Sequence, residues 1–366
     1  MNCGTPDRVP IMCQLSIGHM LLQLGVSPAE FWHDPGVFAQ GLVRLREIYD
    51  FDGILVSLHG HDPGWKSHIR IRRTVETGEE IVWNNGENTT LYLSDELPRH
   101  IPLERTLKPS LQEFREHELP GTLDYIPVSQ GLHFRIHPEH TFDIFHTVRR
   151  QVGEEYSIHG EVTSPFDYFI DLFGVQESLI SLIDHPDKSK LMLIHFTKLI
   201  RQLAREMCDA GIDAIKISSP FAGSGFISPS FYREFVLPFE REIALAIRAK
   251  HVHAYTHTCG AIADRLELMF DAGVSGIECL DPPPLGNVEL EEAKGRTHGR
   301  GFIKGNVDSV NLLLSGTQEE ILADAKRRIE IGKQGGGFIF STACSVAPHV
   351  RRDRLLLLRE AVDRWG

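Results

Sequence analysis

From about residue 150 onward, short apolar runs alternate with longer stretches in which apolar residues recur at three- and four-residue spacing. Residues 157–162 predict a strand, followed by helices near 165–172 and 188–209. AIKIS at 214–218 predicts the next strand, and 229–250 predicts one long helix opened by Ser228 as N-cap. Strands over 251–257, 276–280, 301–306 and 337–341 follow, interleaved with helices over 261–271, 290–293, 317–333 and 349–364. Such alternation predicts parallel strands joined by right-handed helical crossovers. Two further units fit at the front: a strand at 9–13 before a helix around 28–48, and a strand at 53–57. Eight units are what a barrel closes with. The predicted fold class is therefore α/β, a single (β/α)8 (TIM) barrel occupying 1–366 as one domain. An open doubly wound sheet is the structural alternative. It usually carries a glycine-rich turn after its first strand, where this chain reads CQLSIGHM.

The rhythm breaks between about residues 65 and 122. Alternating segments (HIRIRRTVE, EEIVWNN, TTLYLSDE) are separated by Thr-Gly and Asn-Gly steps, which are hairpin signals. This stretch reads as a β-rich insertion after the second strand.

The chain has 50 acidic and 38 basic residues, a formal net charge of −12. That balance argues against a nucleic-acid partner, which calls for a basic stripe. No apolar run is long enough to span a membrane. The opening MNCGTPDRVPIMCQ is too polar and proline-broken for a secretory signal, so a cytoplasmic location is expected. Six cysteines are few for this length and lack the spacing of a disulfide framework. They are expected to be core thiols or metal ligands.

In a (β/α)8 barrel the chemistry gathers at the C-terminal ends of the strands. Those ends carry, in order, Cys13, Gln14 and His19; His59, His61 and Asp62; Glu161; Ser218 and Ser219. His257 to Gly260 follow, then Glu278, Cys279 and Asp281; Asn306 and Asp308; and Ser341, Cys344 and His349. The sharpest of these is the fifth. In an extended segment residues i and i+2 share a side, so His257 and Cys259 can present an imidazole and a thiolate to one point. Cys344 supplies a third soft donor, and Cys2His is a known zinc set that leaves one position open for water or substrate. Cys279 is the competing ligand, read here as a core residue, while Cys3, Cys13 and Cys208 read as structural. His251 and His253 read as polar filling of the barrel. The cluster of His133, His137, His140 and His146 with Glu139 and Asp143 reads as a surface feature.

Longer stretches carry a family resemblance. YTHTCG at 255–260, DPPPLGNVELEEAK at 281–294, KGNVD at 304–308 and GGGFIFSTACSVAP at 335–348 resemble the uroporphyrinogen decarboxylase superfamily, as does ISPSFYREFVLPFEREI at 227–243. The resemblance implies a (β/α)8 barrel. It departs from true decarboxylases, which carry an Arg-Gln-Ala-Gly-Arg stretch where this chain has Leu15 to His19. Their aspartate after the second strand is also missing, with Leu58 or His59 near that place, and Cys344 replaces their C-terminal histidine. The zinc-dependent methyltransferase branch is more similar: its motif of HxC and a distant Cys falls on His257, Cys259 and Cys344.

The resemblance implies a Zn2+ cofactor and a methyl group moved between a corrinoid (methylcobalamin or cob(I)alamin) and a thiol or methoxylated small molecule. A separate corrinoid protein would be the partner. Glu161 is the expected general base or fourth zinc ligand, and His19 and His59 the expected substrate contacts. Two alternatives belong to other classes: a decarboxylase or lyase acting on a smaller acid, and a non-catalytic barrel that binds a ligand or corrinoid protein.

Overall fold

A computed structural model of the chain describes residues 1–93, 97–103, 108–129 and 132–366. Its strands in chain order are β1 (Gly53–Val56), β2 (Ile69–Val75), β3 (Gly78–Trp83), β4 (Asn88–Tyr92), β5 (Arg99–Ile101), β6 (Tyr125–Ser129), β7 (Leu132–Arg135) and β8 (Ser157–Thr163). They continue with β9 (Ala214–Ser218), β10 (His253–Thr258), β11 (Gly276–Cys279), β12 (Phe302–Val307) and β13 (Phe338–Thr342). A seven-stranded parallel sheet runs β1-β8-β9-β10-β11-β12-β13, with helices in the crossovers. Its register places Leu55 beside His159, Tyr255 beside Lys216, and His257 beside Glu278.

The predicted strand at 9–13 takes a different form. It is reduced to a parallel bridge of Ile11 with Phe340, followed by one of Leu15 with Val346. Met12 donates to the Phe340 carbonyl at 3.0 Å, and Phe340 donates to the Pro10 carbonyl at 2.8 Å. On the other side, Asp52 N–H donates to the Ile11 carbonyl at 2.9 Å. The physical reason for the shortened pairing is local. Pro10 has no N–H to give, and the Ile11 N–H is captured at 2.7 Å by the Asp52 side chain instead of a backbone carbonyl. Because this one segment bonds to the neighbourhood of both edge strands, β1 and β13, the sheet has to curl toward itself.

The strand interiors explain why it curls tightly. Leu55, Ala214, Tyr255, Phe302 and Ile339 form a small buried cluster with Met12, one residue from each of five strands. His159 joins it through a 3.0 Å hydrogen bond between Nδ1 and Tyr255 Oη. Two residues further along each strand, on the same side, lie Glu161, Lys216, His257, Glu278, Lys304 and Ser341. The inner face is thus apolar below and charged above. The outer face, with Ile54, Ile158, Ile215, Ile277 and Ile303, belongs to the main core shared with the helices.

Two helices predicted as single pieces are broken by proline. Residues 229–250 form Pro229–Phe235 and Leu237–Arg248, interrupted at Val236. Pro238 cannot donate to the preceding turn. Residues 28–48 likewise divide into Pro28–His33 and Pro35–Tyr49, with Asp34 capping the second. At residues 317–333 a capping box of Thr317 and Glu320 fixes the helix start as the sequence predicts. Among the described residues, no helix is long and apolar enough to cross a membrane.

The β-rich insertion follows β1. It contains a four-stranded antiparallel sheet, β2-β3-β4-β5, and the separate hairpin β6-β7. The hairpin lies beyond the predicted end at 122, and residues 94–96 and 104–107 of the predicted stretch lie outside the described residues. The hairpin is fastened to the rim of the curled sheet immediately after β1: His137 N–H donates to the Gly60 carbonyl at 2.7 Å. Gly60 sits at φ +79°, and a Cβ there would come within 2.5 Å of Ile136 Cγ2.

Candidate metal centre

β10 delivers His257 to the rim with its side chain inward, and the chain turns away at Gly260, at φ +75°. The Gly260 N–H is held at 2.6 Å by Asp281 Oδ2, which fixes the turn that carries Cys259. Cys344 follows the end of β13, where Ala343 N–H donates to the Val307 carbonyl at 2.8 Å and ties the loop to β12. His257 Nε2 lies 3.2 Å from Cys259 Sγ, and Cys259 Sγ lies 3.9 Å from Cys344 Sγ. The three donor atoms all lie within 4.8 Å of one another. A tetrahedral zinc with bonds of about 2.3 Å to sulfur would hold two sulfurs about 3.8 Å apart. The donor set and its spacing fit that ion.

The second ring nitrogen of His257 is accounted for. Nδ1–H donates to Glu278 Oε2 at 2.9 Å. This carboxylate–histidine pairing sets the tautomer and leaves Nε2 for a metal. Glu278 itself is buried and would be costly as a lone charge. Its Oε1 contacts Lys304 Nζ, and Lys216 Nζ lies 3.6 Å from Oε2. Lys216 also reaches Glu161 Oε2 at 3.0 Å and donates to Gln14 Oε1 at 2.8 Å.

The pKa directions follow from this packing. Burial pushes the Glu278 carboxyl upward, but Lys304, Lys216 and His257 outweigh it and hold the group well below its usual range. Burial would lower Lys216, yet Glu161 and Glu278 raise it. For His257, burial also works downward, while Cys259, Cys344 and Glu278 carry the imidazole well above its ordinary value. The Cys344 thiol is lowered by its side-chain contacts with Cys259 and Cys279, with His257 adding to the effect. The centre therefore favours thiolate at Cys344, the form that ligates.

All six cysteines are free thiols. Cys279 is fully buried and donates to Asp281 Oδ2 at 3.2 Å. Cys279 and Leu280 take φ values of +93° and +52°, a conformation unusual for residues with side chains. Backbone strain of this kind concentrates at functional sites. Thr258 Oγ1 and Ser341 Oγ are buried near the rim with no partner among the described residues.

The other predicted site residues lie as follows. Glu161 belongs to the charged layer through Lys216. His19 is buried, with Nε2 2.8 Å from Tyr49 Oη and Nδ1 3.3 Å from the Pro348 carbonyl, so it touches the loop that follows Cys344. His59 is buried beside Phe145, and neither ring nitrogen has a partner among the described residues. His253 lies on the inner side of β10, whereas His251 sits in the preceding turn at φ +59°. His133 pairs with Asp171 at 2.9 Å and His140 with Asp143 at 2.7 Å. Lys216 and Lys304 were not singled out from the sequence. The signal for them was a lysine inside an otherwise apolar strand, in AIKIS and in FIKGN.

A curled parallel sheet with a His-Cys-Cys cluster at its C-terminal rim defines the class: a TIM-like α/β protein with a candidate metal centre. The chain belongs to the family described as Uroporphyrinogen decarboxylase (URO-D), whose profile matches residues 130–365. It is 26% identical over 246 residues to the methylcobamide:CoM methyltransferase MtaA of Methanosarcina barkeri, covering 67% of this chain and 69% of that one. It is 27% identical over 189 residues to the methylcobamide:CoM methyltransferase MtbA of Methanosarcina acetivorans, spanning 49% of this chain and about half (51%) of that relative. In fold it is similar to a solved methyltransferase from Methanosarcina mazei, with a TM-score of 0.72 at 19% identity over 98% of this chain and 94% of the other.

Proposed function

We propose that this chain is a zinc-dependent methyltransferase that moves a methyl group between a corrinoid carried by a partner protein and a thiol or methoxylated substrate. In this reading it is one (β/α)8 domain, with residues 10–15 acting as the eighth stave. The observation that carries the proposal is the convergence of His257 Nε2, Cys259 Sγ and Cys344 Sγ within 4.8 Å. Similarity to two methylcobamide:CoM methyltransferases supports the reaction class.

His257, Cys259 and Cys344 would hold the ion, which supplies Lewis acidity that turns a thiol into a thiolate or polarises an ether oxygen. The chain's own groups prepare that site. Glu278 orients the His257 ring, and Lys216 and Lys304 keep Glu278 ionised so that it accepts the Nδ1 proton. Glu161, held 3.0 Å from Lys216, is the carboxylate proposed to take a substrate proton or complete the metal's donor set. His19 and His59 are the proposed substrate contacts, His19 with its ring steadied by Tyr49.

The first test is metal content of the purified protein beside Cys259→Ala and Cys344→Ala. About one zinc per chain, lost in both variants, is expected. Methyl transfer is then assayed from methylcobalamin to thiols and from methoxyarenes to cob(I)alamin. A wild-type protein that binds no metal overturns the proposal. A zinc-loaded protein inert toward both pairs favours a ligand-binding barrel instead.

A further inference from the structure

A large cavity lies outside the charged layer. It has a volume of about 630 Å³ and is enclosed by the helix Pro28–His33, the insertion sheet and the β6-β7 hairpin. That volume is typical of sites for small organic ligands. Trp32, Trp65 and Trp83 line it. His33 stacks on Trp65 at 5.3 Å between centroids and meets Trp83 edge-on at 5.1 Å.

The ionisable groups of the described wall have polar partners. Asp62 pairs with His68 at 3.0 Å, Glu87 with His100 at 3.5 Å, His133 with Asp171 at 2.9 Å, and Arg135 with Asp124 at 3.6 Å. Other polar atoms of the described wall lack a partner. Trp65 Nε1, His33 Nε2 and His137 Nδ1 are buried polar atoms with no partner among the described residues, and all three residues line the cavity. Trp83 Nε1, by contrast, is already committed to Thr89 Oγ1 at 2.9 Å. Burial, with Arg72 nearby, brings His33 down to about 4, so its ring is uncharged at neutral pH. Buried polar groups in folded proteins are nearly always satisfied. Three of them in one aromatic wall point to a ligand that satisfies them.

We propose that this cavity binds a planar, uncharged aromatic compound carrying an oxygen substituent, with Trp65 Nε1–H donating to that oxygen and the His33 and His137 rings completing its hydrogen bonds. Flat indole and imidazole surfaces favour a ring over an aliphatic chain. Carboxylates are disfavoured because the wall has no uncommitted cation among its described residues. Quaternary ammonium groups are disfavoured because Lys66 and Arg72 lie 5.3 and 5.8 Å from the centre of the Trp65 ring. The inference stands independently of the metal centre.

Three of the chain's four tryptophans line this cavity, so intrinsic fluorescence reads it directly. The full-length protein is titrated with 2-methoxyphenol and phenol, and in parallel with benzoate and choline. Saturable quenching by the two phenols is expected, with benzoate and choline weaker. Trp65→Phe keeps the ring and removes the donor, and should weaken phenol binding about three- to tenfold, the loss of one hydrogen bond. Trp365→Phe and Cys344→Ala should leave it unchanged. No saturable quenching, tighter binding of benzoate or choline, an unaltered affinity in Trp65→Phe, or loss of binding in Cys344→Ala would each overturn the proposal.

Discussion

Glu278 Oε2 lies 2.9 Å from His257 Nδ1, on the neighbouring strand at the same register level. The pairing makes a buried carboxylate the rear support of the candidate ligand, and Lys216 and Lys304 in turn support the carboxylate. A metal held there would depend on groups that never touch it.

Glu278→Gln should therefore weaken zinc binding about 10- to 100-fold, the usual cost of losing such support. A chelator competition series on the folded variant checks this. Zinc affinity equal to wild type would show that His257 is oriented without Glu278.

Lys216 is fully buried between Glu161 and Glu278. Lys216→Met leaves those carboxylates short of a countercharge and should cost about 3–5 kcal/mol in urea unfolding. Adding Glu161→Gln should recover part of that loss. A double variant no more stable than the single one would mean that the pair is not coupled.

Stability should fall on acidification below neutrality. Burial lowers His19, His33 and His59 to about 4, and His61 and His159 to about 3. Unfolded histidines titrate near 6.5. As pH drops from 6.5 toward 4 the unfolded chain takes up protons that the folded chain refuses, so stability is lost through that window. Asp167 and Glu240 act oppositely. Burial raises both to about 7, and their folded forms retain protons that the unfolded chain releases above about pH 4. At about 1.4 kcal/mol per pKa unit, the five histidines outweigh the two acids. The urea midpoint at pH 5 should lie below that at pH 7.5, and an equal or higher midpoint would contradict the balance.

Gly60→Ala places a methyl group against Ile136 at a positive φ. The strain should cost about 1–3 kcal/mol and loosen the β6-β7 hairpin from the rim. Limited proteolysis should then cut near residues 121–137 sooner than in wild type. Unchanged cleavage would place the hairpin's anchorage elsewhere.

The parallel strands were legible because short extended segments bounded by turn residues alternate with amphipathic helices, and β8 to β13 fall within two residues of their predicted starts. The His257, Cys259 and Cys344 grouping was legible because strand ends of a barrel converge, so residues far apart in sequence share one rim. Lys216 and Lys304 were not, because a lysine in an apolar strand reads as an interruption until its carboxylate partners are known. Pro238 and Pro35 were visible, yet long amphipathic periodicity masked the breaks they impose. The aromatic cavity escaped the sequence altogether. Its walls come from residue 32, the insertion and residue 137, and no periodicity links them. His133, exposed as the surface reading expects, and the half-buried His137 both line that cavity.

The bridge between Ile11 and Phe340 joins positions 329 residues apart (340 − 11). Closing so long a loop carries an entropic cost that only late contacts can offset. During synthesis the opening segment can meet Asp52 early, but its partner on the β13 side comes only when Phe340 has emerged, and Cys344 follows four residues later (344 − 340). The last pairing that curls the sheet and the third of the candidate metal donors become available within the same few residues, so a nascent chain cannot assemble the candidate centre before its sheet can close up.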